Sequence, residues 1–122
     1  LWGTGKPFRE YTYSKDFRDI LMWMYKNYSS KQSVNVSSGQ EMRIKNIVKL
    51  ICEELNYDFK KIVFDKSKPD GIYRKTAELN KFKKIYKYNF TSFKDGLKNT
   101  IQWYKNNKVN IQSKSKFKNF KI

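Results

Sequence analysis

Between residues 43 and 55 the apolar positions Ile44, Ile47, Val48, Ile51 and Leu55 recur at i, i+3, i+4, i+7 and i+11. That is one face of a helix. Phe17, Ile20, Leu21, Met24 and Tyr28 repeat the spacing after Ser14, which predicts a helix capped by the serine, with Asp16 in a first turn that suits a carboxylate. A third stripe, Phe93, Leu97, Ile101 and Tyr104, follows Ser92 and Asp95. The serine and aspartate resemble a capping box, and the helix they open is expected to end near Asn106. A short helix near residues 78–84 has weaker support. Alternation takes over in "SVNVSSG", where Val34 and Val36 share one face of a predicted strand that ends in a glycine turn. The apolar run "KIVFD" (61–65) suits a buried strand, and "KSKPDG" after it is a loop with Pro69 and Gly71 as turn residues. Residues 1–13 read as an extended loop punctuated by glycine and proline.

Strands alternating with helices predict an α/β fold, but two short strands do not make a stable sheet alone. Further sheet partners are therefore expected upstream of Leu1, in keeping with a chain that does not begin with methionine. After Asn107 the periodicity fades, and "KVNIQSKSKFKNFKI" (108–122) carries no acid. This segment is expected to be a disordered basic tail, leaving residues 1–107 as one domain with a modest core.

Charge adds a second candidate partner and then weakens it. The net charge is +16, and residues 81–122 hold twelve lysines against the single acid Asp95. Such a balance raises nucleic acid as a ligand. Only four of the 27 bases are arginines, however, and base edges and phosphates are read best by the planar guanidinium fork. Abundant Lys, Asn, Ile, Tyr and Phe point instead to an AT-rich coding sequence. The lone Cys52 and the absence of histidine exclude an internal disulfide and a Cys/His zinc cluster. Cys52 is expected to pack in the core of a reduced, cytoplasmic protein. No apolar run reaches the length of a membrane span, and "LWGTGKP" lacks the regions of a signal peptide.

Three chemical motifs are tempting, and each fails on its own requirements. "GTGK" is not a phosphate-binding loop: the earlier glycine is missing, and Pro7 stands where a hydroxyl should meet magnesium. "GTGKPF" has two glycines of the dinucleotide fingerprint but Phe8 at the third, with an extended segment after it. Tyr-x-x-x-Lys, the proton-transfer pair of short-chain dehydrogenases, occurs as Tyr11/Lys15, Tyr57/Lys61 and Tyr104/Lys108. None lies near a dinucleotide loop, and so many tyrosines and lysines make the spacing by chance.

"LWGTGKPFREYTYSKD", "VNVSSG", "IVFDKSKPDGIYRKTAELNKF" and "GLKNTIQWYKNN" come in the order found at the carboxyl end of the GDP-L-fucose synthase family. Residues 1–107 resemble that family, whose members are extended short-chain dehydrogenase/reductases. The resemblance implies the carboxyl-terminal substrate-binding lobe of a Rossmann-type enzyme, with the Rossmann domain itself absent from this chain. It also implies the parent reaction, 3,5-epimerisation of GDP-4-keto-6-deoxy-D-mannose and then NADPH-dependent 4-reduction to GDP-L-fucose, in a complete enzyme expected to be a homodimer.

Carried over residue by residue, the family's nucleotide-sugar contacts fall on Trp2, Arg9 and Asp70, and Arg74 and Lys75 could add positive charge for a diphosphate. The residue chemistry agrees. A guanidinium clasps a diphosphate, an indole packs on a base or sugar, and a carboxylate accepts from hydroxyls or a guanine N–H. Each also has a plainer explanation: core packing for Trp2, an ion pair with Glu10 or an upstream acid for Arg9, turn chemistry for Asp70, and a solvated basic loop for Arg74 and Lys75.

The chain departs from the family in several places. Lys15 precedes Asp16 where two acids are usual, Arg43 replaces the hydroxyl cap of the second helix, and the basic tail has no counterpart. The family's glycine fingerprint, catalytic Ser, Tyr-Lys pair, Cys and His all belong upstream of Trp2. This chain alone is therefore expected to bind no NADP(H) and turn over no substrate. A binding-only remnant and a basic nucleic-acid-binding protein remain as alternatives.

Overall fold

The computed structural model describes residues 1–114, and of residues 108–114 the backbone alone. Three short strands form a sheet of order β2-β1-β3: β1 (Phe8–Glu10), β2 (Glu41–Arg43) and β3 (Arg74–Lys75). β1 pairs antiparallel with β2, Arg9 opposite Met42, and parallel with β3, Arg9 opposite Lys75. Residues paired across strands share a face, and faces alternate along each strand. One face therefore holds Arg9, Met42 and Lys75, and the other Phe8, Glu10, Glu41, Arg43 and Arg74. On that second face the Arg43 guanidinium sits 4.9 Å from the centre of the Phe8 ring, a cation–π contact.

Helix α1 (Ser14–Asn27) forms where expected, but Ser14 is its first helical residue and Tyr13 its N-cap, without a side-chain bond. Only Ile20 of its apolar stripe is fully buried, while Phe17 and Leu21 are exposed. Helix α2 (Ile44–Glu54) buries Ile47 of the predicted stripe and the expected core residue Cys52, while Leu55, the last of the stripe, caps the helix and is exposed. Its Arg43 N-cap makes no side-chain bond. The opening loop does that work instead: Ile44 N donates to Pro7 O and Lys45 N to Gly5 O, both at 2.9 Å, satisfying two of the amides a helix start leaves orphaned.

Helix α3 (Asn80–Ile85) buries Phe82, and α4 (Phe93–Lys114) begins at the expected capping box, with Ser92 Oγ accepting from Asp95 N and donating to Asp95 Oδ2. The helix runs beyond Asn106 to Lys114. The rest of the expected basic tail, residues 115–122, lies outside the described residues. Polar side chains fix the segment that leads into α4. Asp16, 3% exposed, accepts from Thr91 N, Thr91 Oγ1 and Tyr88 Oη. Burial and the nearby Asp16 charge push the Tyr88 phenol up.

Two expected strands are absent. Residues 33–40 form no helix and pair with no strand. Their backbone is met by side chains, Ser38 N donating to Thr12 Oγ1 and Gly39 N to Glu10 Oε1. Glu41–Arg43, immediately before α2, takes the place beside β1. "KIVFD" is not buried either: Phe59–Lys61 forms a 3-10 turn, and Val63 is 74% exposed.

Candidate functional site

Two of the four stretches that carry the family resemblance, the one that opens at Leu1 and the one that contains Asp65 and Asp70, are laced together. Asp65 N donates to Leu1 O and Gly3 N to Asp65 O, the offset pattern of parallel pairing, and Trp2 and Asp65 form the bridge. Beyond it, both oxygens of Asp70 are held by Thr4: Oδ1 accepts the backbone N–H, and Oδ2 the hydroxyl at 2.6 Å. These two bonds, the hydroxyl first, hold the Asp70 carboxyl below the usual carboxylate range. Asp65 is lowered too, by the hydroxyl and the amide of Ser67.

Glycine is required twice in this lacing. At Gly3 (φ 77°) a Cβ would stand 2.3 Å from Asp70 Oδ1, and at Gly5 (φ 72°) another would stand 2.5 Å from the Phe64 ring. The "WGTG" and "FDKSKPDG" motifs are thus two halves of one packed unit.

Past the clasp, the segment 70–73 runs alongside β1. Phe8 N donates to Tyr73 O at 2.8 Å, and Arg9 Nη1 donates to Ile72 O at 2.9 Å and to Phe8 O at 2.6 Å. Arg9 Nη2 lies beside Gly71, 3.9 Å from where a Cβ would be. The alternative ion pair with Glu10 is not formed, because the Glu10 carboxylate is occupied by the amides of Gly39 and Ala77. No carboxylate pairs with Arg9 among the described residues, and its Nε and Nη2 have no partner there. Arg9 also lines a cleft of about 430 Å³, with Glu10, Lys75 and Ala77 in the same wall. That is within the range of small-ligand sites, roughly 300–1,000 Å³.

Of the sequence-predicted residues, the structure brings Arg9 and Lys75 onto one sheet face and one cleft, with Asp70 in the adjoining turn. Trp2 is 76% exposed, which removes core packing as its role among the described residues. Arg74 is elsewhere. It points to the opposite face, where Nε and Nη2 hold both oxygens of Glu41 at 2.7 and 2.8 Å. This bidentate pair keeps the guanidinium charged to higher pH than usual. Thr4 and Glu41 were missed by sequence reasoning: the "GTG" in which Thr4 sits was weighed as a phosphate loop, a dinucleotide turn and part of a family motif, none of which singles out the threonine, and nothing marked Glu41.

Tyr11 and Tyr57 both precede a helical element, so neither shares a helix face with Lys15 or Lys61. A larger hollow, about 530 Å³ beneath Tyr86, Tyr88 and Phe90, is lined by none of the predicted site residues.

No family model matches the sequence. The fold has solved counterparts. It superposes with a TM-score of 0.79 on dTDP-glucose 4,6-dehydratase from Bacillus anthracis, at 21% identity, covering 89% of this chain and 35% of that one. The architecture is that of the carboxyl-terminal part of Rossmann-type short-chain dehydrogenase/reductases. Nearer relatives narrow the class. A GDP-L-fucose synthetase from Naegleria fowleri, solved bound to NADP, matches with a TM-score of 0.82 at 34% identity over 89% of this chain and 35% of that one. A probable GDP-L-fucose synthase from Oryza sativa is 36% identical over 112 residues, 92% of this chain and 34% of the relative. The chain belongs to the GDP-L-fucose synthase family and spans about a third of the length of these relatives.

Proposed function

We propose that this chain is the part of a GDP-L-fucose synthase that grips the nucleotide-sugar, and that the complete enzyme converts GDP-4-keto-6-deoxy-D-mannose to GDP-L-fucose. The observation that carries the reading is the Arg9 guanidinium, tethered by two carbonyls and unmatched by any described carboxylate, on a residue that lines one cleft with Lys75. A preset fork with two idle nitrogens, Nε and Nη2, along one edge suits a diphosphate. In this reading Trp2 supplies an exposed aromatic face for the base or sugar. Arg74, bound to Glu41, takes no part.

These residues contribute binding and orientation. Fixing the substrate lowers the barrier only through chemistry supplied elsewhere in the enzyme. The residues present do not fit NADPH. A dinucleotide cradle needs free amides at a helix start, and the α2 amides of Ile44 and Lys45 are already taken by Pro7 and Gly5. No hydride or proton step is assigned to this chain, and in the complete enzyme NADPH belongs with another domain.

The test is an NMR titration of the 122-residue chain with GDP. Saturable shifts clustered on Trp2, Arg9 and the Asp70–Lys75 segment are expected. A companion experiment places residues 1–114 in the Naegleria fowleri synthetase in place of its matching third and measures turnover. A chain that shows no saturable GDP shifts, together with an inactive but folded chimera, would refute the proposal.

A further inference from the structure

We infer that Thr4 is a positioning residue for Arg9, acting through Asp70 without itself reaching the ligand; the consequence for affinity rests on the proposed GDP-sugar site. The segment 70–73 touches the opening segment at three places: Asp70 on Thr4, Ile72 O on the Arg9 guanidinium, and Tyr73 O on Phe8 N. The last two are backbone carbonyls that accept wherever the segment happens to lie. The first is specific. It needs a carboxylate on one side and, on the other, a residue that offers its N–H and a side-chain hydroxyl together.

Gly3 leaves the space that lets Asp70 approach so closely. Thr4 Oγ1 also accepts from Lys6 N at 3.2 Å, so the same oxygen organises its own loop while donating across to Asp70. Two residues past Asp70, Ile72 O holds the face of Arg9 that does not serve a ligand. If the clasp opens, that carbonyl moves with the turn and the guanidinium loses its fixed direction. Affinity then falls by the fraction of time the site is misassembled.

The decisive variants in the full chain are Thr4→Val, which keeps the shape and removes the hydroxyl, and Thr4→Ser, which keeps the hydroxyl. Three quantities are read: the GDP dissociation constant, the Nε–H resonance of Arg9, and the Asp70 carboxyl titration followed by carbon NMR. Thr4→Val is expected to weaken GDP binding about tenfold and to move the Arg9 resonance toward its unstructured position. Thr4→Ser is expected to stay within about twofold of the parent on binding, since its hydroxyl can make the same bond. A purely structural threonine would not discriminate this way, because serine loses packing while valine keeps it.

In the parent, Asp70 should titrate below the ordinary carboxylate value of about 3.9, with Thr4 N–H reporting the same transition. The depressed value means the clasp is complete above the ordinary pKa and lost as pH falls through the lowered one. An ordinary Asp70 titration in the parent overturns the inference even if Thr4→Val fails to fold. So does a Thr4→Val chain that binds GDP like the parent with its Arg9 resonance unmoved. A parent that ignores GDP, with the chimera folded but inactive, overturns the nucleotide-sugar reading instead; the Arg9 resonance and Asp70 titration then still decide the positioning role.

Discussion

Replacing Arg9 with alanine removes two things that can be measured apart. One is the tether, Nη1 on the carbonyls of Phe8 and Ile72. Both acceptors lie near the surface, so water can replace the guanidinium, and the loss to folding should be about 1 kcal/mol. The other is the idle edge of Nε and Nη2, which in the complete enzyme would grip the diphosphate. A hydrogen bond to a charged group contributes about 1.5–3 kcal/mol. Counting the half-exposed fork as one such bond gives about a ten- to 150-fold rise in the GDP dissociation constant. Arg9→Lys should recover part of this, because an ammonium supplies the charge without the fork. Calorimetry with GDP at low and high salt, beside urea unfolding of each variant, separates binding from stability. An ordinary surface charge would show a loss below about 1 kcal/mol that salt erases. An Arg9→Ala protein that binds GDP within twofold of its parent would remove Arg9 from the site.

Three other substitutions test the frame around it. Gly3→Ala places a Cβ against Asp70 in a left-handed backbone that costs a non-glycine residue about 1–2 kcal/mol; urea unfolding should show at least that loss, and GDP binding should weaken with it. Asp16→Ala strands Thr91 and Tyr88 and should destabilise the chain by about 3 kcal/mol; a change under half of that would mean the buried carboxylate is not what holds the segment that leads into α4. Arg74→Gln should leave the GDP dissociation constant within about twofold, since its guanidinium is committed to Glu41 on the other sheet face, and a tenfold loss would return Arg74 to the site.

The helices were legible because each carries its own signal: the α2 stripe, and the Ser92–Asp95 box that opens α4. Ser14 misled as a cap because nothing local says that the helix starts one residue sooner. The sheet was not legible. Glu41–Arg43 and Arg74–Lys75 are three and two residues long, too short for alternation to emerge. "SVNVSSG", which does alternate, takes its bonds from the side chains of Thr12 and Glu10 instead. Arg9 and Lys75 could be named from motifs, but which faces they occupy depends on strand register. Thr4 was invisible for a similar reason, since its partner Asp70 lies 66 residues away.

That separation also bears on how the molecule folds. Contacts between residues far apart in sequence carry the largest loop-closure cost and slow the search for the native state. Helix α2 can begin from neighbouring residues, whereas the Trp2–Asp65 bridge and the Thr4–Asp70 clasp join residues more than sixty positions apart and are expected to close later. The cleft is therefore expected to be among the last regions to assemble and the first to open under denaturant. A nucleotide that binds it would act as a folding partner, raising the melting temperature in proportion to the logarithm of its excess concentration.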